Sequence, residues 1–232
     1  MSRLRVINLG LPKSGTTTFA RALKRAGLAV ADWKIQPGQS SDAGLQDRFL
    51  GELLYDGYFK HGDPLALLPE FDAFAEISTA SKSFSLWPQL DFPLIQCIRD
   101  RHPGAKFVLS HRPAEEIVDS MMRWSNLGSR RLPKYSIPGL PAGYGKTTSE
   151  LERWVTGHYL FTRHAFADSA DFLEYDIADP DAPRQLEAFL GISIPWWGKA
   201  NANPSVPKDQ TAEGAAETDD SAAKAGTTET TE

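Results

Sequence analysis

Gly10-Leu11-Pro12-Lys13-Ser14-Gly15-Thr16-Thr17-Thr18 stands between an apolar run, Leu4 to Leu9, and a run from Thr16 to Ala26 with helical spacing. The first run reads as a buried strand. In the second, Phe19, Ala20, Leu23 and Ala26 share one face, opposite Arg21, Lys24 and Arg25. A turn joining a strand to a helix N-terminus presents unpaired backbone N–H groups and the positive end of the helix dipole. Such a turn binds anions. Gly10 and Gly15 permit close backbone approach and positive φ, and Lys13 adds a full positive charge within the loop. The nucleotide-hydrolysing pattern G-x-x-x-x-G-K-[ST] places its lysine directly after the second glycine. Here Thr16 follows Gly15, and the lysine precedes that glycine by two positions.

A second stretch points the same way. Lys106 to His111 reads as a buried strand, followed by Arg112-Pro113 and a helical run through Trp124. Pro113 suits the first helical position, and Glu115 and Glu116 suit the first turn. Arg112 then stands at the carboxyl end of a strand, where open α/β sheets bind ligands. Ser120 follows eight residues after it, two helical turns beyond Pro113.

Pro12-Lys13-Ser14-Gly15-Thr16-Thr17 resembles the 5′-phosphosulfate loop of the sulfotransferases that use 3′-phosphoadenosine 5′-phosphosulfate. In that family an arginine at a strand end and a serine eight residues later hold the 3′-phosphate, which is the spacing of Arg112 and Ser120. The resemblance covers roughly residues 4 to 204 in the order of its elements. It implies that Pro12, Lys13, Ser14, Gly15, Thr16, Thr17 and Thr18 contact the donor's 5′ groups, without a metal. It departs from the family at two places. Cytosolic members often carry an aromatic residue where this chain has Thr18. Their Arg-Lys-Gly segment near the C-terminus has only an echo here, Gly198-Lys199, which makes Lys199 a further candidate phosphate ligand. The implied product of transfer is 3′,5′-adenosine bisphosphate, and the acceptor a small molecule or a saccharide with a hydroxyl or amine.

Transfer of this kind needs positive charge at the leaving oxygen and a base for the acceptor proton. Lys13 fits the first role. For the second, Glu76 closes an apolar run, Phe71 to Ile77, where burial can raise a carboxyl toward a working pKa. His61, in Lys60-His61-Gly62-Asp63, and His111, beside Arg112, are the other candidates. Trp33 and Trp87 suit either an acceptor wall or core packing. Two other readings stay open at this stage. One is a P-loop nucleotide kinase or NTPase, against which the lysine position and the lack of an Asp ending the 106–110 strand both count. The other is a non-catalytic nucleotide-binding member of the same fold.

The remaining elements alternate. A short strand is expected at Ala29–Trp33, a helix at Asp42–Phe59, a third strand at Phe71–Ile77, and a helix at Asp91–His102. After residue 148 follow a helix to Phe166, a strand at Asp171–Tyr175 and a helix through Arg184–Leu190. This pattern predicts an α/β three-layer sandwich, with a central parallel sheet and the phosphate-binding loop after its first strand. The segment 126–148 is rich in Pro and Gly and carries Arg130, Arg131, Lys134 and Lys146 without an acid, as a lid over an anionic ligand would.

The net charge of −5 on 232 residues belongs entirely to residues 205–232, which hold seven acids and two lysines. That stretch lacks aromatic residues and reads as a disordered acidic tail behind one domain, 1–204. The neutral remainder disfavours nucleic acid as a partner. A single cysteine, Cys97, excludes an internal disulfide framework and cysteine-cluster metal sites, and reads as a buried apolar residue. With no span apolar enough for a bilayer and no leader pattern, a cytoplasmic location is expected.

Overall fold

The computed structural model describes residues 3–81, 83–198 and 200. Its centre is a five-stranded sheet of β1 (Val6–Asn8), β2 (Val30–Ala31), β3 (Ala73–Phe74), β6 (Lys106–His111) and β7 (Phe172–Asp176), in the order β2-β3-β1-β6-β7. Every pairing is parallel. Alternate residues serve opposite faces, as the two-residue strand period requires. Ile7, Leu9, Phe74, Phe107 and Leu109 join one apolar cluster, and Val6, Ala73, Val108 and Tyr175 the other. The first is covered by α2 (Leu50–Asp56), α3 (Phe92–Arg101), α4 (Ala114–Arg123) and α6 (Thr148–Ala165). The second is covered by α1 (Thr16–Arg25) and α7 (Ala182–Leu190). The three-layer architecture follows.

Several boundaries differ from expectation, each for a local reason. The helix expected at Asp42–Phe59 is divided: a tight turn at Ala43–Leu45 precedes it, Asp47 adopts φ 63, and regular helix begins only at Leu50. A left-handed residue cannot continue an α-helix. The helix then widens into a π-turn at Gly57–His61. The third strand keeps only two paired residues, after which the chain forms a small antiparallel hairpin, β4 (Thr79–Ala80) with β5 (Ser85–Leu86). The segment 126–148 contains a π-turn at Leu127–Arg131 and a short α5 (Leu132–Lys134). It ends at Thr147, which forms a reciprocal capping box with Glu150 and starts α6. Cys97 is half-buried rather than sealed in the core, its thiol donating to the Gly62 carbonyl at 3.5 Å.

The sheet order leaves β1 flanked by β3 and β6, so the loop after β1 meets the carboxyl ends of both. Asn8, fully buried, makes that junction. Its side-chain oxygen accepts from the Gly10 amide (2.9 Å) and the Ser110 hydroxyl (3.2 Å), while its amide donates to the Ala75 carbonyl (2.9 Å). One polar side chain thus ties β1, β3 and β6 together directly below the loop.

Candidate active site

Within the loop, Lys13 (φ 76) and Gly15 (φ 102) both take left-handed backbone conformations, which turn the chain into the first turn of α1. Gly15 has a second constraint, because a Cβ there would stand 2.4 Å from the Ile177 side chain. At Gly10 a Cβ would stand 2.0 Å from the Ser110 hydroxyl. Ser14 is spent on the scaffold: its hydroxyl meets that of Ser110 at 2.6 Å. The loop's stem is held from the opposite layer as well, where His158 of α6 donates from Nε2 to the Leu9 carbonyl at 2.8 Å. Burial lowers the His158 pKa to about 4, so the ring is neutral near pH 7.

Positive charge collects on the β6 side. Arg112 follows β6 directly, and its Nη1 lies 3.5 Å from the Lys13 carbonyl while Nη2 pairs with Glu116 at 3.0 Å. Its Nε is buried with no partner. At the far end of α4, the Trp124 ring lies 4.7 Å from the Lys13 Nζ. Both ends of α4 therefore approach the loop, and Ser120 is buried between them. Arg131 reaches the same ring, 5.1 Å from its centroid. The Lys13 pKa is lowered, first by burial and then by Arg112, with Glu76 opposing and Arg123 adding to the shift. An ammonium crowded by cations and short of water is a group prepared for an anion.

The β2–β3 side carries the opposite sign. Glu76 lies two residues beyond β3, partly accessible but closely walled by protein. Burial pushes its pKa up to about 8; the Ser78 hydroxyl pulls it down, neighbouring Asp32 pushes it up, and Thr16 pulls it down. Ser78 donates its hydroxyl to Glu76. Asp32 follows β2, is itself raised by burial, and accepts from the Trp33 amide at 2.9 Å. Lys13 thus stands between an arginine and a carboxylate pair.

The structure brings Lys13, Gly15, Thr16, Glu76 and Arg112 to one end of the sheet, and keeps Pro12 buried within the loop and Thr17 half-buried on α1. Thr18 turns elsewhere: its hydroxyl donates to the Gly198 carbonyl at 3.0 Å and accepts from the Ala200 amide at 3.3 Å. Lys199 lies outside the described residues. His61 is not brought to the loop. It is exposed, and its neighbour Asp63 bonds His102 at 2.8 Å, just before β6 begins, at the amino end of the sheet. His111 packs its ring edge-on to Tyr159 at 5.1 Å. Trp87 is core, packed on Trp154 at 5.4 Å, whereas Trp33 is 47 % exposed beside Asp32. Sequence reasoning missed Asp32 and His158. The Asp32 signal was faint, since it lies inside the strand expected at Ala29–Trp33 and follows β2 only because that strand ends at Ala31. Nothing local distinguishes His158 from an ordinary apolar-face histidine.

A parallel sheet whose first strand feeds a lysine-bearing glycine loop, with an arginine at the end of the adjacent strand, is an α/β arrangement suited to an anionic ligand. The family model described as a sulfotransferase domain matches residues 5–206, and the chain belongs to that family. It is a transferase fold for sulfuryl groups in general. A comparison with curated proteins gives no significant match. Among the described residues no group of three or more His, Cys, Asp or Glu side chains is placed to hold a metal ion, and no helix is long and apolar enough to cross a membrane.

Proposed function

We propose that the protein transfers a sulfuryl group from 3′-phosphoadenosine 5′-phosphosulfate to a hydroxyl or amine of a small-molecule or saccharide acceptor. The observation that carries this reading is the pair of cationic groups, Lys13 and Arg112, that stand at the loop with donors still unused. The first is desolvated among cations, and the second keeps a buried Nε without a partner. A donor with anionic groups at the 3′ and 5′ positions of its ribose offers acceptor oxygens to both, and its bound 5′ end brings the sulfuryl group to be transferred.

The chain's own residues divide the work. Lys13 and the first-turn amides of α1, with the Thr16 and Thr17 hydroxyls, bind the 5′ groups and neutralise charge at the leaving oxygen. Arg112 and Ser120 take the 3′-phosphate. Glu76 removes the acceptor proton. Near pH 7 it is largely protonated in the free protein, so the competent fraction grows as pH rises through about 8. His158 and Asn8 hold the loop in place without touching the donor.

Calorimetric titration tests this reading. Metal-free 3′,5′-adenosine bisphosphate should bind, and removing its 3′-phosphate should weaken binding about tenfold or more. Binding of ATP with magnesium in place of the bisphosphate would establish the kinase reading instead.

A further inference from the structure

Arg131 lies in the π-turn that follows α4, in the basic segment 126–148. Its Nη1 donates to the Ala80 carbonyl at 2.6 Å, in the hairpin just beyond Glu76. Its guanidinium also faces Trp124, the ring that receives Lys13. Lys13 and Arg131 are therefore no farther apart than those two ring distances laid end to end. Among the described residues no carboxylate pairs with Arg131, whereas Arg48, Arg123, Arg163 and Arg112 each have an acidic partner. The Arg131 Nε is sealed from solvent and unpartnered. Burial lowers its pKa with no acid to oppose the shift.

A strut between the segment and the hairpin would need only the bond to Ala80. It would not need a planar cation, and it would not leave an N–H edge buried and unused. A guanidinium edge with free N–H groups is shaped to fork onto two oxygens of one tetrahedral anion. We propose, taking the donor reading above as given, that Arg131 is a further catalytic residue, binding the oxygens of the transferring sulfuryl group beside Lys13. Charge spreads over those oxygens in an in-line transfer, so a cation there acts on the transition state more than on the ground state. The Trp124 ring receives both cations and offsets part of their mutual repulsion.

The test compares two nucleotides that differ only where Arg131 is placed. 3′,5′-Adenosine bisphosphate ends at the 5′-phosphate. Adenosine 3′-phosphate 5′-diphosphate adds a terminal phosphate as an inert stand-in for the sulfuryl group. Arg131→Met should keep bisphosphate affinity within about twofold of wild type and lose about tenfold or more for the diphosphate, with Arg131→Lys recovering part of that loss. Turnover with the sulfuryl donor should fall about 10²-fold in Arg131→Met. Equal loss for both nucleotides, or no loss for either, overturns the assignment, the first by showing a purely structural strut. Circular dichroism and Arg131→Lys guard against a misfolded variant. A wild-type protein that binds neither nucleotide overturns the donor reading itself, and this assignment with it.

Discussion

The two flanks of the glycine loop are built from the same element type, a strand end in one parallel sheet, yet carry opposite charge. Beyond β6 stand Arg112, Arg123 and Arg131 around Lys13; beyond β2 and β3 stand Asp32 and Glu76. Arg112 and Arg123 pair with Glu116 and Asp119, whereas among the described residues Lys13 and Arg131 have no salt-bridged carboxylate, and burial lowers the pKa of both. The carboxylates are crowded and short of water, so their pKa values rise. Each flank is electrostatically frustrated by itself, and each is relieved by a different ligand group. On the proposed reading an anion relieves the first, and the second takes up a proton leaving an acceptor.

That division can be broken one side at a time. The largest effect is expected at the loop itself: Lys13→Ala should cost about 10³-fold in turnover, measured by transfer of labelled sulfate to an acceptor mixture. On the carboxylate flank, Glu76→Gln should lower turnover about 10²-fold while leaving bisphosphate affinity unchanged. The wild-type rate should climb as pH passes through about 8, and the variant's should not. The same group has a stability signature. Its folded pKa lies above its ordinary value of 4.5, so the folded state holds the extra proton between 4.5 and about 8. Stability therefore falls as pH rises across that window. Glu76→Gln should flatten that fall, visible as a smaller drop in Tm between pH 5 and pH 9.

On the cationic flank, Arg112→Ala should weaken bisphosphate binding about tenfold or more by calorimetry and leave the pH profile of turnover in place. A smaller effect is expected beneath both flanks. His158→Ala leaves the Leu9 carbonyl without its buried donor and should cost about 1–3 kcal/mol in denaturant unfolding. Here the folded pKa is depressed. The wild type should therefore lose stability as pH falls from 6.5 toward about 4, and the variant should lack that slope.

The two flanks also differ in how far the sequence revealed them. Around Lys13 and Arg112 the signals are local: a strand, a glycine turn and a helix start within a dozen residues, and a Pro-capped helix after a buried strand. These carried the sheet, the loop and the arginine. The carboxylate flank depends on which strands are neighbours. Asp32 and Glu76 meet only because β2 pairs with β3, with Ala31 beside Phe74. Spacing along the chain does not record that pairing. Nor does spacing record where His61 lies, exposed near the Asp63–His102 pair at the amino end of the sheet. Thr18 sits on the expected helix, but its hydroxyl is taken by residues 198 and 200, far away in sequence. The late start of α2 rests on Asp47 in a left-handed conformation, which no residue-type preference at that position required.

The most direct test of this division of labour is a calorimetric comparison of 3′,5′-adenosine bisphosphate with adenosine 5′-monophosphate on wild type, Arg112→Ala and Glu76→Gln. The predicted result is a preference for the bisphosphate of about tenfold or more in wild type and Glu76→Gln, collapsing toward unity in Arg112→Ala. A preference that survives in Arg112→Ala, or that disappears in Glu76→Gln, would contradict the assignment of donor and proton to separate flanks.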